Sequence, residues 1–188
     1  LNAAHFIEHM AFNGSANVPE GEMIKLLERE GLKFGADTNA STGFDETIYK
    51  LVLPRNDESL IDTGLMLMRE IGSELTIMQG AIDRERGILQ SEIQTRNSYQ
   101  ARNARTSFKL LAPDTLYATR YPGPDGAGPT ATVTAEQLRS MYERYYRPDN
   151  ATLVIVGDVD PDIIEAKIKE RFADWQKPEE PLFVTDVG

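Results

Sequence analysis

The sequence predicts an α+β fold in which helices pack on one face of an antiparallel sheet. Three observations lead there. Several segments repeat apolar residues at helical spacing, and residues 47–53 are rich in β-branched and aromatic residues before Pro54. Residues 151–156 add a continuous apolar run of the buried-strand type, closed by the turn pair Gly157-Asp158.

The elements follow in order. A first helix is predicted over residues 3–12, stopped by Asn13-Gly14, a helix-ending pair. Pro19, Glu20 and Glu22 suit the opening of a second helix, with Met23, Leu26 and Leu27 as its buried stripe and Gly31 closing it. Residues 34–42 and 47–53 are expected to pair as strands around a turn at Gly43-Phe44-Asp45. Asn56 is expected to cap a third helix reaching Leu75, with Leu60, Ile61, Leu65, Met68 and Ile71 facing inward. A fourth helix starts near Ala81 and is expected to run past Tyr99 towards Leu111. The glycine- and proline-rich residues 121–129 form a long loop, a kind often tied to function. Thr134 and Gln137 make a capping box for a fifth helix, and residues 161–172 make a final one. Residues 177–181, Lys-Pro-Glu-Glu-Pro, read as the start of an exit linker. The expected organisation is one domain over residues 1–176 and an exit segment over 177–188. No internal repeat or low-complexity segment interrupts it.

Composition narrows the function. With 188 residues, 40% hydrophobic and 27% charged, the chain can bury one good core. A net charge of −10 opposes nucleic-acid binding, whose phosphates call for a basic surface. No apolar run is long enough to span a bilayer. With no cysteine, disulfide and thiolate chemistry are excluded.

The chemistry-bearing motif is His5-Phe6-Ile7-Glu8-His9, which holds the chain's only two histidines. Positions i and i+4 of a helix share one face, so both imidazoles can reach one metal ion with Glu8 beside them. Two imidazoles and a carboxylate suit Zn²⁺, and H-x-x-E-H is the inverted zincin order. The third ligand must be a carboxylate, since no further histidine or cysteine exists. Glu85 and Glu92, seven residues apart, share one face of the fourth helix. Glu85 lies in the charged run Asp83-Arg84-Glu85-Arg86, while Glu92 is flanked by Leu89 and Ile93. A buried carboxylate needs a compensating cation, which favours Glu92 and leaves Glu85 open.

The chain resembles the M16 (pitrilysin-type) zinc metallopeptidases, a family that includes insulin-degrading enzyme, the mitochondrial processing peptidases and the bacterial PqqL-like zinc proteases. The anchors span almost the whole chain. They are residues 4–10 with Phe12-Asn13-Gly14, Asn39-Ala40-Ser41-Thr42, Thr47-Ile48-Tyr49, Glu85 with Ser91-Glu92, residues 145–150, and residues 154–158. The resemblance implies the family's layered fold, lacking its first strands, with His5, His9 and Glu92 as zinc ligands. Glu8 is then the general base, and Glu85 a supporting catalytic residue that orients a ligand or tunes the water. It further implies that Asn39, Ala40 and Ser41 lie on an edge strand that receives the substrate backbone. Two departures touch no ligand: a surplus around residues 32–37, and Asn2 where the family commonly has glycine.

The implied activity is a zinc-dependent endopeptidase acting on peptides or unfolded proteins. A partner domain or subunit of the same family would supply an arginine and a tyrosine for the substrate and oxyanion. A bacterial periplasmic or cell-envelope location fits the PqqL-like branch. The competing reading is a non-catalytic, peptide-binding or structural subunit, but such members typically lose the metal motif. The chain opens at Leu1, almost on the motif helix, and is read as a fragment whose first strands lie upstream. On that reading it is expected to bind zinc, to cleave poorly by itself, and either to self-associate or to be partly disordered over residues 1–12.

Overall fold

The computed structural model describes residues 2–33, 35, 37–120 and 128–182. In chain order the helices are α1 (Asn2–Met10), α2 (Glu22–Arg29), α3 (Glu58–Ser73), α4 (Gln79–Thr95), α5 (Tyr99–Leu111), α6 (Leu116–Arg120), α7 (Gly128–Thr132), α8 (Ala135–Tyr145) and α9 (Pro161–Phe172). Strands β1 (Thr38–Thr42) and β2 (Thr47–Leu51) lie between α2 and α3. None of the described helices is long and apolar enough to cross a membrane.

Helix α1 forms the centre of the core. Phe6, Ile7 and Met10, with Ala11 just beyond, are fully covered and pack among α4, α7, α8 and the hairpin. The hairpin is antiparallel, with Thr38 opposite Leu51, Ala40 opposite Tyr49 and Thr42 opposite Thr47. Its burial alternates along both strands, as a sheet with one covered face requires. Thr38, Ala40 and Thr42 turn towards the helices, while Asn39 and Ser41 face outward. An antiparallel sheet covered on one face by helices is thus present, with two strands among the described residues.

Side chains from distant segments fix how the helices lie. The Glu70 carboxylate, buried on α3, accepts from the Asn17 backbone N–H at 3.1 Å and from its Nδ2 at 2.7 Å. Beside it, the Ala16 N–H donates to Glu74 O at 2.9 Å, so the turn after α1 is tied to the end of α3. Tyr142 of α8 donates its hydroxyl to Ile71 O at 2.8 Å, and burial raises its pKa well above the usual phenol range. Arg86 of α4 donates to the backbone oxygens of Thr130 and Val133, and its guanidinium lies 5.9 Å from the Phe6 ring centroid.

Several expectations hold as read from local chemistry. The Thr134–Gln137 capping box is present at α8, and the final helix, α9, covers 161–172 as expected. Gly14 and Gly31 adopt φ of 113° and 89°, backbone that ends α1 and α2.

Others need correction. Residues 151–156 form no strand: Val154 is 74% and Val156 92% exposed, and among the described residues the sheet pairs β1 with β2 alone. An apolar run becomes a strand only where a neighbour supplies the backbone partners. Asp57 rather than Asn56 caps α3, accepting the Leu60 N–H at 3.2 Å, while the Asn56 side chain turns to the remote Asp158 and donates Nδ2 to its O at 2.7 Å. The long fourth helix is two helices. Its ladder stops at Thr95, and Ser98 caps α5 by accepting the Ala101 N–H at 3.2 Å. Helix α2 starts after Gly21, so Pro19 and Glu20 lie before it. Phe34 and residues 121–127, expected as a strand start and a loop, lie outside the described residues, as do 183–188 of the exit segment.

This packing makes Leu138 of α8, fully buried beside α1, a test of the core. Leu138→Ala is expected to destabilise the fold by about 2–5 kcal/mol in denaturant or thermal unfolding. A loss under about 1 kcal/mol would mean that α8 contributes little to holding α1.

Candidate metal centre

Burial of the apolar side of α1 leaves its other face, bearing His5, Glu8 and His9, turned towards α4 and the hairpin. The two imidazoles lie one turn apart with ring centroids 4.9 Å apart and planes at 80°. From α4, the Glu92 carboxylate approaches both. Its Oε1 lies 3.5 Å from His5 Nε2, and its Oε2 lies 3.1 Å from His9 Nε2. One ligand atom from each of His5, His9 and Glu92 falls within 4.8 Å of the others. A tetrahedral ion with bonds of about 2.0–2.1 Å sets its ligand atoms about 3.3 Å apart, so these donors need only small adjustments to surround Zn²⁺.

Glu85 does something different. Its Oε2 meets His9 Nδ1 at 3.2 Å, on the opposite side of the ring from Glu92. The His9 hydrogen bond, ahead of an opposing burial effect, lowers the Glu85 pKa, so the ionised carboxylate accepts the Nδ1 proton. That fixes the tautomer and leaves the Nε2 lone pair for a cation. Asn13 braces the pair, donating Nδ2 to His9 O at 3.0 Å and hydrogen-bonding Glu85.

The two histidines titrate in opposite directions. Burial depresses the His5 pKa, against the pull of Glu92. For His9 burial is again the largest influence and lowers, but Glu85, Glu92 and Glu8 together outweigh it and raise the pKa. Glu8 is almost wholly covered, and burial raises its pKa against a 2.5 Å hydrogen bond donated by Thr42 Oγ1 to its Oε2.

The structure thus gathers His5, Glu8, His9, Glu85 and Glu92 in one place. The burial argument used to rank the two glutamates needs correction: the Glu85 side chain is 15% exposed and that of Glu92 is 25%. Both are partly covered, and direction rather than depth distinguishes them. Asn39, Ala40 and Ser41 lie on β1, whose second edge pairs with nothing among the described residues. There the Ala40 N–H is met by Asn39's own Oδ1 at 2.9 Å.

Sequence reasoning missed the roles of Asn13, Thr42 and Arg96. Arg96 Nη2 lies 2.5 Å from Glu92 Oε1, an i,i+4 pair whose spacing was a readable signal. Thr42 carried none, since its partner Glu8 is remote in sequence, and Asn13, four residues from His9, was read only as half of the helix-ending pair.

A pair of imidazoles on one helix, a carboxylate between them and another from a second helix define an inverted zincin arrangement on an α+β scaffold. The sequence model of the insulinase group (peptidase family M16) matches residues 2–121, and that of the peptidase M16 inactive domain matches 132–187. The chain belongs to peptidase family M16. It is 35% identical over 174 residues to the probable zinc protease PqqL of Escherichia coli K12, covering 92% of this chain and 18% of that protein. The crystal structure of the first half of the periplasmic protease PqqL from E. coli superposes with a TM-score of 0.87 at 33% identity, covering 99% of this chain and 40% of that one. Pitrilysin shares the fold, with a TM-score of 0.69 at 18% identity over 98% of this chain and 19% of its own. The chain therefore spans about a fifth of the length of the PqqL proteins it matches.

Zinc titration of two variants separates the glutamates. Glu92→Gln is expected to lose zinc far more completely than Glu85→Gln, whose loss should stay within about 10–100-fold in affinity or activity. If Glu85→Gln is the variant that empties the site, their roles are exchanged.

Proposed function

We propose that this chain is the catalytic region of a zinc-dependent endopeptidase that hydrolyses peptides or unfolded proteins. The observation that carries the proposal is the convergence of His5 Nε2, His9 Nε2 and the Glu92 carboxylate, with Glu8 beside them on the same helix face. The names of its relatives, zinc proteases, support zinc as the ion. When bound, Zn²⁺ supplies Lewis acidity, polarising the scissile carbonyl and bringing the pKa of a coordinated water towards neutrality.

The remaining chemistry belongs to the side chains. His5, His9 and Glu92 hold the ion, and Glu85 holds His9 in the tautomer that serves it. Glu8 takes the proton from the attacking water and later delivers it to the leaving amine nitrogen. Its burial serves this role, because a carboxylate with a raised pKa binds and releases a proton near neutral pH more readily. The free edge of β1 at Asn39, Ala40 and Ser41 would receive an extended substrate backbone, a mode that tolerates varied side chains.

Residues 1–176 are proposed to act as one domain, with 177–188 as an exit segment. In support, Leu138 and Tyr142 of α8 belong to the same core cluster as α1. A further domain or subunit of the same family is proposed to complete the substrate site, in keeping with the much greater length of the PqqL proteins. The periplasmic description of E. coli PqqL favours a cell-envelope location for this protein too.

Glu8→Gln tests the assignment in the protein at its natural length, using zinc analysis and a quenched-peptide assay. The amide keeps the shape but cannot take a proton, so zinc content should persist while turnover falls by about 10²–10⁴-fold. Parallel loss of zinc and activity would make Glu8 a ligand rather than the base.

A further inference from the structure

The sequence anchors and the metal site leave one polar array without a role. It runs behind Glu8, from the hairpin to the end of α8. Thr42 Oγ1 donates to Glu8 Oε2 at 2.5 Å, in the short range of hydroxyl–carboxylate bonds. Thr47, directly opposite Thr42 across the hairpin, brings its Oγ1 to 3.3 Å from Thr42 Oγ1. Just past the end of α8, the Tyr146 hydroxyl lies 2.6 Å from that of Tyr49.

Proton counting gives this array a direction. An ionised carboxylate can only accept, and a hydroxyl carries a single proton. Thr42 spends its proton on Glu8, so Thr47 must donate to Thr42. Two hydroxyls, of Thr47 and Thr42, point one way and end at a single oxygen of Glu8.

We propose that Thr42 is a positioning residue for Glu8, fixing the carboxylate through Oε2 so that its other oxygen is presented to the water. The proposal rests on the metallopeptidase reading above. A glutamate side chain has three rotatable torsions, and its packing on α1 does not by itself fix the terminal one. A bond to one oxygen does. A base must lie within hydrogen-bond reach of the proton it removes, and a displacement of about 1 Å can cost as much as 100-fold in rate.

The location of Thr42 adds a consequence. It is the last residue of β1, next to Ser41 on the strand proposed to receive substrate. The same strand that would pair with the peptide thus carries the group that aims the base, so substrate register and base position share one rigid element.

The experiment uses the protein at its natural length, loaded with zinc and assayed on a quenched peptide. Thr42→Val keeps the shape and removes the hydroxyl; Thr42→Ser keeps the hydroxyl. Thr47→Val cuts the chain one step further back. Thr42→Val should lower kcat about 10–100-fold with KM and zinc content little changed, and Thr42→Ser should restore most of it. Thr47→Val should give a smaller loss. Crystal structures provide a readout independent of turnover: in Thr42→Val the Glu8 carboxylate should leave its position, and in Thr42→Ser it should stay. Unchanged kcat and an unmoved carboxylate in a folded Thr42→Val protein would overturn the proposal, as would an equal loss in Thr42→Ser. If Thr42→Val fails to fold, Thr47→Val carries the same test, and wild-type kcat there overturns the directed chain. A wild-type protein that binds zinc but cleaves no peptide would instead refute the metallopeptidase reading, while the crystallographic comparison would still decide whether Thr42 fixes Glu8.

Discussion

The site depends on how α4 crosses α1 at His9. An imidazole is a small rigid plane, yet here Nδ1 meets Glu85 and Nε2 meets Glu92. Those glutamates are seven residues apart, so their backbones are separated by about 10 Å along the helix. A single ring can satisfy both only if α1 crosses between them and each carboxylate reaches inward. The crossing is set by apolar packing, in which Phe6, Ile7 and Met10 of α1 and Ile82, Leu89 and Ile93 of α4 enter one cluster. The polar contacts then fall where packing puts them. A shift of α1 by one position would turn Phe6 or Met10 towards α4's carboxylates and the histidines into the core.

Helix α1 cannot hold that register alone. A helix of 9 residues is marginal in water, because nucleation consumes most of what a few hydrogen bonds return. Its order therefore comes from neighbours. The Glu70 carboxylate grips Asn17 just beyond the helix, and Arg86 draws the 130–133 backbone over Phe6. Both acts bury charge with hydrogen-bond compensation, which fixes geometry more than it adds stability. Segments from across the chain thus converge on a short helix that carries three of the five site residues.

What was legible in the sequence was local. The spacing of His5, Glu8 and His9 and the capping box at Thr134 depend on residues within one or two helical turns, and each is present as read. Glu85 and Glu92 were readable as a pair because seven residues return to the same helix face. Their burial was not, since flanking residues say nothing of what lies overhead. Arg86, one residue from Glu85, brings a backbone segment onto that end of α4, whereas Glu92 lies nearer the other end, beside the exposed Arg96. The same limit explains residues 151–156, whose apolar pattern states a preference that only a neighbouring strand could realise. It also explains why Thr42 went unread: its partner, Glu8, is 34 positions away. The break between α4 and α5 is a different failure, because Ser98 was a visible cap that continuous periodicity had overshadowed.

Electrostatics gives the arrangement its direction. Three carboxylates, Glu8, Glu85 and Glu92, crowd a site on a chain of net charge −10, which disfavours further negative charge and attracts cations. The local compensation is uneven. Glu85 is balanced through His9, and Glu92 reaches the exposed end of Arg96. Burial is the largest influence on Glu8 and raises its pKa; Glu92 adds to it, while the Thr42 hydrogen bond, His9 and Arg96 oppose it. A divalent cation among His5, His9 and Glu92 would offset the Glu92 charge, so binding the ion would also favour the ionised form in which Glu8 acts as base.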